Sequence, residues 1–416
     1  MDQKIRLKKE LGLLEVYCLV TGSIIGAALF LLLGLAHSLA GNAMILSYML
    51  AAFLVATAMF SMAELVSAMP KSGADYFVVK RVMGPAVGTI TGLLSWFFLA
   101  LKGALALYGI SLFIEFIVDV NIHLVSIALA VIFITINYIG VKEAGRTQVV
   151  LTISLICLLV YYIFRGFWSV DVKRYGDFAP HGFLPVIYTT GFIFVTFGGI
   201  LKCVAVAEEI KNPGRTIPMA MILSLVTVAF IYVFVVFVTA GILDADELHK
   251  SNIAIIDGSI KFMGRPGILL MSIAGILACV TTANGGIMAA SRYPLALSDD
   301  GLLPPILGRI HKRFHTPHVA ILTTGIFVIL SLFLNLEGLA KVSSTVLILT
   351  YIVANLCLLI MRESKIQNYN PSFRAPLYPW LPIIGIIGNI FIIFQMGMGS
   401  LLSSIAFAMG GFLVYW

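Results

Sequence analysis

Two lysines stand where a bilayer tolerates few. Lys102 lies midway along the apolar run "WFFLALKGALALYG", and Lys202 follows a glycine pair in "FGGILKCVAVAEEIKNP", Phe197 to Pro213. An ionisable side chain at the membrane centre costs roughly 2.5–3.5 kcal/mol on insertion scales, so each needs a partner or a task. Three chemistries are open to such a residue. It can carry protons, cycling between ammonium and amine as access to it alternates. It can face the carboxylate of a solute. Or it can be structural, standing in a cation's place, tying carbonyls at a helix break, or pairing with Glu64 or Glu208. For Lys102 the stem can also snorkel toward an inner vestibule.

The glycines beside Lys202 have a counterpart in the first apolar run, where "TGSIIGAALF", Thr21 to Phe30, interrupts an otherwise bulky segment. A helix broken inside the membrane leaves peptide N–H and C=O groups unpaired, at several kcal/mol each unless something satisfies them. The positive end of a half-helix suits a carboxylate, and freed carbonyls suit an ammonium group or a cation. Paired breaks therefore favour zwitterions. Small residues alone also serve close helix packing. Recurrence of the break in the second half of the chain, with charge following it, points to binding.

The elements that must position these residues follow from composition. The chain has 416 residues, 60% of them hydrophobic and 11% charged, with mean hydropathy +1.04. Too little charge is present to cover a soluble surface, so the class is an integral membrane protein. At roughly 20 apolar residues per span, twelve transmembrane helices are expected, with the first at 11–36 and the sixth at 184–207. Interrupted segments at corresponding places in two halves are the sequence mark of an inverted-repeat carrier. The expected architecture is all-α: a 5+5 inverted repeat with discontinuous helices 1 and 6, plus two C-terminal helices. Residues 1–10 form a cytoplasmic N-terminal segment, 11–168 the first five-helix repeat, 184–361 the second, and 378–416 helices 11 and 12. The charged start "MDQKIRLKKELG" precedes an apolar run too long for a cleaved signal. Most of the 27 Lys and Arg residues fall in the expected inner segments, which places both termini in the cytoplasm.

Other polar residues carry weaker signals. Glu64 near the inner end of span two, and Glu208 and Glu209 near that of span six, suit interfacial charge or gate contacts with Lys71, Lys80 or Arg292. In "NPGRTIP" the Pro–Gly pair ends one helix and Pro218 opens the next. Thr281, Thr282 and Asn284 in span eight, and Ser343, Ser344 and Thr345 in span ten, can meet a solute or bond their own helix carbonyls. The five cysteines lie in apolar runs as buried hydrophobes, and His311, His315 and His318 lack a metal-ligand pattern. No nucleophile elbow, P-loop or cofactor motif is present, so an enzyme and a bound cofactor are not expected, and the charge distribution gives no nucleic-acid footprint.

Several blocks together resemble one known group. "GSIIGAALF" (Gly22 to Phe30), "AELVSAMPKSGADYFVVKRVMGP" (Ala63 to Pro85), "AEEIKNPGRTIPMA" (Ala207 to Ala220), "NGGIMAASRYPLALSDDGLLPP" (Asn284 to Pro305) and "FRAPLYPWLPIIGI" (Phe373 to Ile386) run in the order found in amino acid-polyamine-organocation (APC) superfamily permeases. The resemblance implies a leucine-transporter-type fold and a secondary active transporter of amino acids or related amine or carboxylate solutes, working by alternating access with proton coupling or exchange. Carboxylate-binding amides would fall on Gly26, Ala27 and Ala28, with Ser23 and Ile24 lining the site. Amino-group carbonyls and an aromatic gate would fall across Val195, Phe197, Gly198, Gly199 and Ile200. Phe194, Phe197, Glu64 and Glu208 are the gate candidates, Lys102 and Thr282 join the binding set, and Lys202 and Lys102 are the coupling candidates. Three departures stand out: Ala27–Ala28 replaces the usual Ser-Gly, Val195 holds the gate position, and Leu155 stands where many proton-coupled members carry a lysine.

The partners expected are a small-molecule substrate, protons or a counter-substrate, and the lipid bilayer of a plasma membrane, for a multi-pass monomer or weak homodimer. Two alternatives stay open: a carrier of acidic amino acids or amine-free organic anions, with Lys202 and Lys102 facing the carboxylate, and a channel-like permeation pathway.

Overall fold

In the computed structural model, residues 11–70, 74–116, 118–139, 144–180, 182–205, 207–314, 316–365, 367 and 369–416 are described. The expected 1–10 segment and Lys71 lie outside them, as does the side chain of Glu208. The architecture is helical throughout the described residues. In chain order the helices are α1 (Leu13–Ile24), α2 (Ala27–Ala40), α3 (Met44–Ala68), α4 (Ala74–Met83), α5 (Pro85–Glu115), α6 (Ile122–Ile139), α7 (Ala144–Phe167), α8 (Leu184–Phe192), α9 (Ile200–Ala205), α10 (Pro213–Ile242), α11 (Ala245–Lys250), α12 (Ala254–Met263), α13 (Arg265–Asp299), α14 (His318–Ser331), α15 (Leu336–Glu363), α16 (Trp380–Gln395) and α17 (Met398–Tyr415).

Among the described residues, nine helical stretches have the length and apolar composition to cross a membrane, and His318–Ser331 and Trp380–Gln395 are shorter apolar helices. One of the nine, Leu13–Ala68, is itself divided into α1, α2 and α3. The outer helices show why lipid must surround the bundle. In Ile122–Ile139 the mean hydropathy is 2.2 yet only 22% of the span is buried, so Leu124, Val131 and Ile132 face outward. Such a surface is stable only where the solvent is hydrocarbon.

The two longest helices, α5 and α13, pack along each other and form the spine of the bundle, while α10 lies against α3 and α1. Glycines allow the close approaches: an alanine Cβ at Gly286 of α13 would lie 3.0 Å from the Leu99 carbonyl of α5. Beside the spine, α1 also packs on α7, and α15 on α5 and α3.

The opening of α10 differs from expectation. Asn212 takes the left-handed conformation, φ 48°, and Pro213 occupies the first turn, so Pro218 lies inside the helix and does not start it. Asparagine tolerates that conformation and Pro213 arrives with a helical φ, which moves the start upstream. Leu11 meets the same region. Its N–H donates to the Glu209 carbonyl at 3.1 Å and its carbonyl accepts from Lys211 N–H at 2.9 Å, an isolated parallel bridge joining the residue ahead of α1 to the stretch between α9 and α10.

Candidate functional site

The first break is two residues wide. α1 ends at Ile24, Ile25 and Gly26 bend, and α2 begins at Ala27. Gly26 N–H turns back to the Ile24 carbonyl at 2.7 Å, so the Gly22 carbonyl loses its helical donor, and with the Ala27 N–H also unpaired among the described residues the Ser23 carbonyl loses its own. At the N-cap, Gly26 brings no side chain to the first-turn amides of Ala27, Ala28 and Leu29, and these amides find no acceptor among the described residues. They sit at the positive end of a 14-residue helix.

The second break is longer. α8 stops at Phe192, a tight 3₁₀ turn covers Ile193–Phe197, Gly198 and Gly199 follow, and α9 starts at Ile200. The glycines are there for contact. A Cβ on Gly199 would lie 2.5 Å from the Ile24 nitrogen and 2.7 Å from the Ser23 carbonyl carbon, and one on Gly198 would run into the Phe98 ring. The two breaks therefore touch, backbone to backbone.

The carbonyls freed at this junction are taken by the chain's own side chains. Lys102 of α5, buried, donates from Nζ to the Ser23 carbonyl at 2.7 Å and also to the Gly198 carbonyl, one from each break. The Tyr232 hydroxyl of α10 reaches the Ile24 carbonyl at 2.8 Å and the Thr196 carbonyl at 3.2 Å, again one from each. Ser344 of α15 accepts the Val195 N–H and donates to the Phe192 carbonyl, both at 2.9 Å. Each contact removes the penalty of a buried unpaired peptide group.

Beside these ties lies an unpaired donor set. Thr282 of α13 is 1% exposed and its Oγ1 finds no partner among the described residues. A Cβ on Gly26 would meet that oxygen at 2.7 Å and Lys102 Cε at 3.4 Å, so Gly26, Thr282 and Lys102 converge on the start of α2. Lys202, buried in α9, places Nζ against Gly285 of α13, 2.5 Å from where its Cβ would stand. Among the described residues no carboxylate pairs with either lysine. The junction is cationic, and with Ser23, Ile24, Ala27, Ala28, Val195, Phe197 and Ile200 all buried it is closed to solvent.

The structure thus gathers Ser23, Ile24, Gly26, Lys102, Thr282, Gly198 and Gly199 into one cluster, with Ala27 and Ala28 beginning the helix beside it. Phe197 lies one layer away, its ring 5.0 Å from Tyr232 and 6.4 Å from Tyr48. Phe194 faces elsewhere, 5.9 Å from Tyr351, and Val195 is held by Ser344. Leu155 is buried and apolar. Of the polar cluster in span eight, Thr281 bonds the Leu277 carbonyl of its own helix, and Asn284 accepts from Asn137 at 2.9 Å. Ser343 and Thr345 also bond their own helix carbonyls. Sequence reasoning missed Tyr232 and Tyr48. The signal was present, since a phenol inside the apolar run "FIYVFVV" needs a hydrogen-bond partner.

Glu64 corrects another expectation. It pairs neither with Lys80 nor with Arg292, nor with a membrane lysine, but with Arg362 at the end of α15: Nε to Oε1 at 2.8 Å and Nη2 to Oε2 at 2.5 Å. Tyr369 OH and Ala375 N–H complete the carboxylate at 3.0 and 2.6 Å. The reason is positional, because α3 and α15 pack together and bring these residues side by side. Lys80 instead pairs with Asp300 at 2.7 Å and Arg292 with Glu209 at 3.4 Å. In the same region Asp75 of α4 accepts from Ser95 at 2.5 Å and Tyr293 at 2.9 Å. Burial pushes its carboxyl up to about 6, against the pull of those two hydroxyls.

Known proteins are similar in sequence along nearly the whole chain. A methylthioribose transporter of Bacillus subtilis is 27% identical over 98% of this chain and 93% of its own length. The serine/threonine exchanger SteT of the same organism is 29% identical, covering 93% and 91%, and its branched-chain amino acid permease BcaP is 26% identical, covering 98% and 92%. The family model described as amino acid permease matches residues 15–409. This helical membrane protein belongs to the amino acid permease family of the APC superfamily, whose members are transporters of small molecules and not enzymes.

Proposed function

We propose that the chain is a secondary active transporter of small carboxylate-bearing solutes, amino acids or their close analogues, working by alternating access in the plasma membrane. The observation that carries this is the start of α2: three first-turn amides without acceptors, beside Lys102 and the unpaired Thr282 hydroxyl, where no carboxylate among the described residues pairs with the lysine. A helix N-terminus with a buried cation beside it is suited to an anionic head group. The solutes named for the serine/threonine exchanger and the branched-chain amino acid permease support that solute class.

In this reading twelve spans form two inverted repeats, 11–168 and 184–361, with 378–416 appended and both termini cytoplasmic. Solute binding at the first break draws α1 and α9 together through the Gly199 contact. Opening inward separates the ties that close the inner side, Glu64 with Arg362, Glu209 with Arg292, and Lys80 with Asp300. Lys202 is the coupling residue, a buried ammonium with no partner among the described residues.

Counterflow of labelled solute in proteoliposomes tests the reading, with a panel of amino acids and matched carboxylic acids supplied on the trans side. Saturable, trans-stimulated uptake is expected. Flux without trans-stimulation would make the protein a channel, and loss of coupling is expected in Lys202→Ala, whose uptake no longer varies with pH.

A further inference from the structure

At the break junction several of the freed carbonyls are already bonded to side chains of the chain itself. An ammonium-bearing solute needs carbonyl oxygens at the breaks, since these are the acceptors that a broken helix sets free. Here Ser23 O and Gly198 O are both held by Lys102 Nζ, Ile24 O and Thr196 O by Tyr232, and Phe192 O by Ser344. What remains without a partner among the described residues is mostly donor: the N–H groups of Ala27, Ala28 and Leu29 and the remaining proton of the Lys102 ammonium, which has three donors in all, with the Thr282 hydroxyl able to donate or accept. Lys202 adds a second buried positive charge.

We infer that the Lys102 ammonium occupies the place a solute's own amino group would take, so that the cargo is a small monocarboxylate without an amine, of the 2-oxo or 2-hydroxy acid class. The inference rests on the carboxylate site at the start of α2 proposed above and names which carboxylates it accepts. A zwitterion would bring a second ammonium beside the buried Lys102 Nζ, where the Ser23 and Gly198 carbonyls are already engaged, a cost that discriminates between otherwise matched solutes. An oxo or hydroxy acid of the same size presents its carboxylate to the α2 amides and its second oxygen to Thr282 or the lysine, and every group is matched. Tethering the ammonium in the protein also spares the carrier from binding it anew in each cycle.

The test uses the full-length protein in proteoliposomes and two matched series: alanine, lactate and pyruvate, and leucine, 2-hydroxy-4-methylpentanoate and 2-oxo-4-methylpentanoate, with glutamate as the acidic amino acid. Competition against counterflow of whichever amine-free acid is transported is expected to favour the oxo and hydroxy acids over the matching amino acid by about tenfold or more. In Lys102→Met the freed Ser23 and Gly198 carbonyls are expected to bring the amino acids up to or past their amine-free partners. A wild-type protein that takes alanine, leucine or glutamate in preference to the amine-free acids overturns this inference and leaves the transporter reading intact. Failure of every carboxylate in both series overturns both. Should Lys102→Met not fold, the wild-type ranking decides by itself.

Discussion

Gly199 rests directly on the Ser23–Ile24 peptide, with the site of its missing Cβ 2.5 Å from the Ile24 nitrogen. Both listeners to that contact are main chain, so neither can rotate away. Gly199→Ala is expected to lower stability by about 1–3 kcal/mol and to abolish transport, read by thermal unfolding in detergent and by initial uptake rate. Gly410→Ala, where nothing lies within 4 Å of the added carbon, serves as the control and keeps both. A Gly199→Ala protein with unaltered uptake would show that the two breaks part during the cycle without this contact.

Tyr232, like Lys102, reaches a carbonyl from each break. Removing its hydroxyl in Tyr232→Phe leaves the Ile24 and Thr196 carbonyls without that donor, at a cost of about 1–3 kcal/mol. The ring stays in its cluster with Tyr48 and Phe197, so the loss is confined to the hydrogen bonds. Lower melting temperature and slower counterflow are expected together, and an unchanged melting temperature counts against the bridging role.

The Glu64–Arg362 pair makes a sharper distinction. Glu64 is fully buried and accepts four hydrogen bonds. Arg362→Met strands a buried carboxylate and is expected to cost about 3 kcal/mol or more, whereas Glu64→Gln with Arg362→Met costs less than the arginine change alone. A double-mutant cycle measures the coupling, and an additive result sinks the claim that the two act as a unit.

Asp75 gives a pH signature. Its free carboxyl titrates near 3.8 and its folded one at about 6, so in between the folded protein holds a proton that the unfolded chain has released. The associated stability is complete below about pH 4 and is lost as pH rises through about 6. Asp75→Asn is expected to flatten the melting temperature across that window. Ser95 and Tyr293, its bonded neighbours, carry no charge there, so a persisting slope in the variant assigns the effect to another group.

Much of the fold was legible in the sequence because hydropathy alone marks a membrane helix. The breaks were legible too, since Gly22 to Gly26 and Gly198–Gly199 stand out against bulky runs. Thr282 could be named as a candidate from its place among polar residues in span eight. The partners could not be named. Lys102 bonds carbonyls of Ser23 and Gly198, residues far apart in the chain, and no local pattern announces which backbone groups a tertiary contact will free. Glu64 offered several bases nearby in sequence, yet its guanidinium comes from residue 362 because helix packing, not sequence distance, sets the neighbours. Pro218 misled for a different reason: Asn212 and Pro213 already form a sufficient helix start.

The short bridge at Leu11 has a mechanical meaning. With its N–H and carbonyl clasped by Glu209 and Lys211, the residue just ahead of α1 is buttoned to the stretch between α9 and α10. A displacement of Leu11 is therefore passed through two main-chain hydrogen bonds to the Glu209–Lys211 stretch, which ties the beginning of α1 to the segment that follows α9.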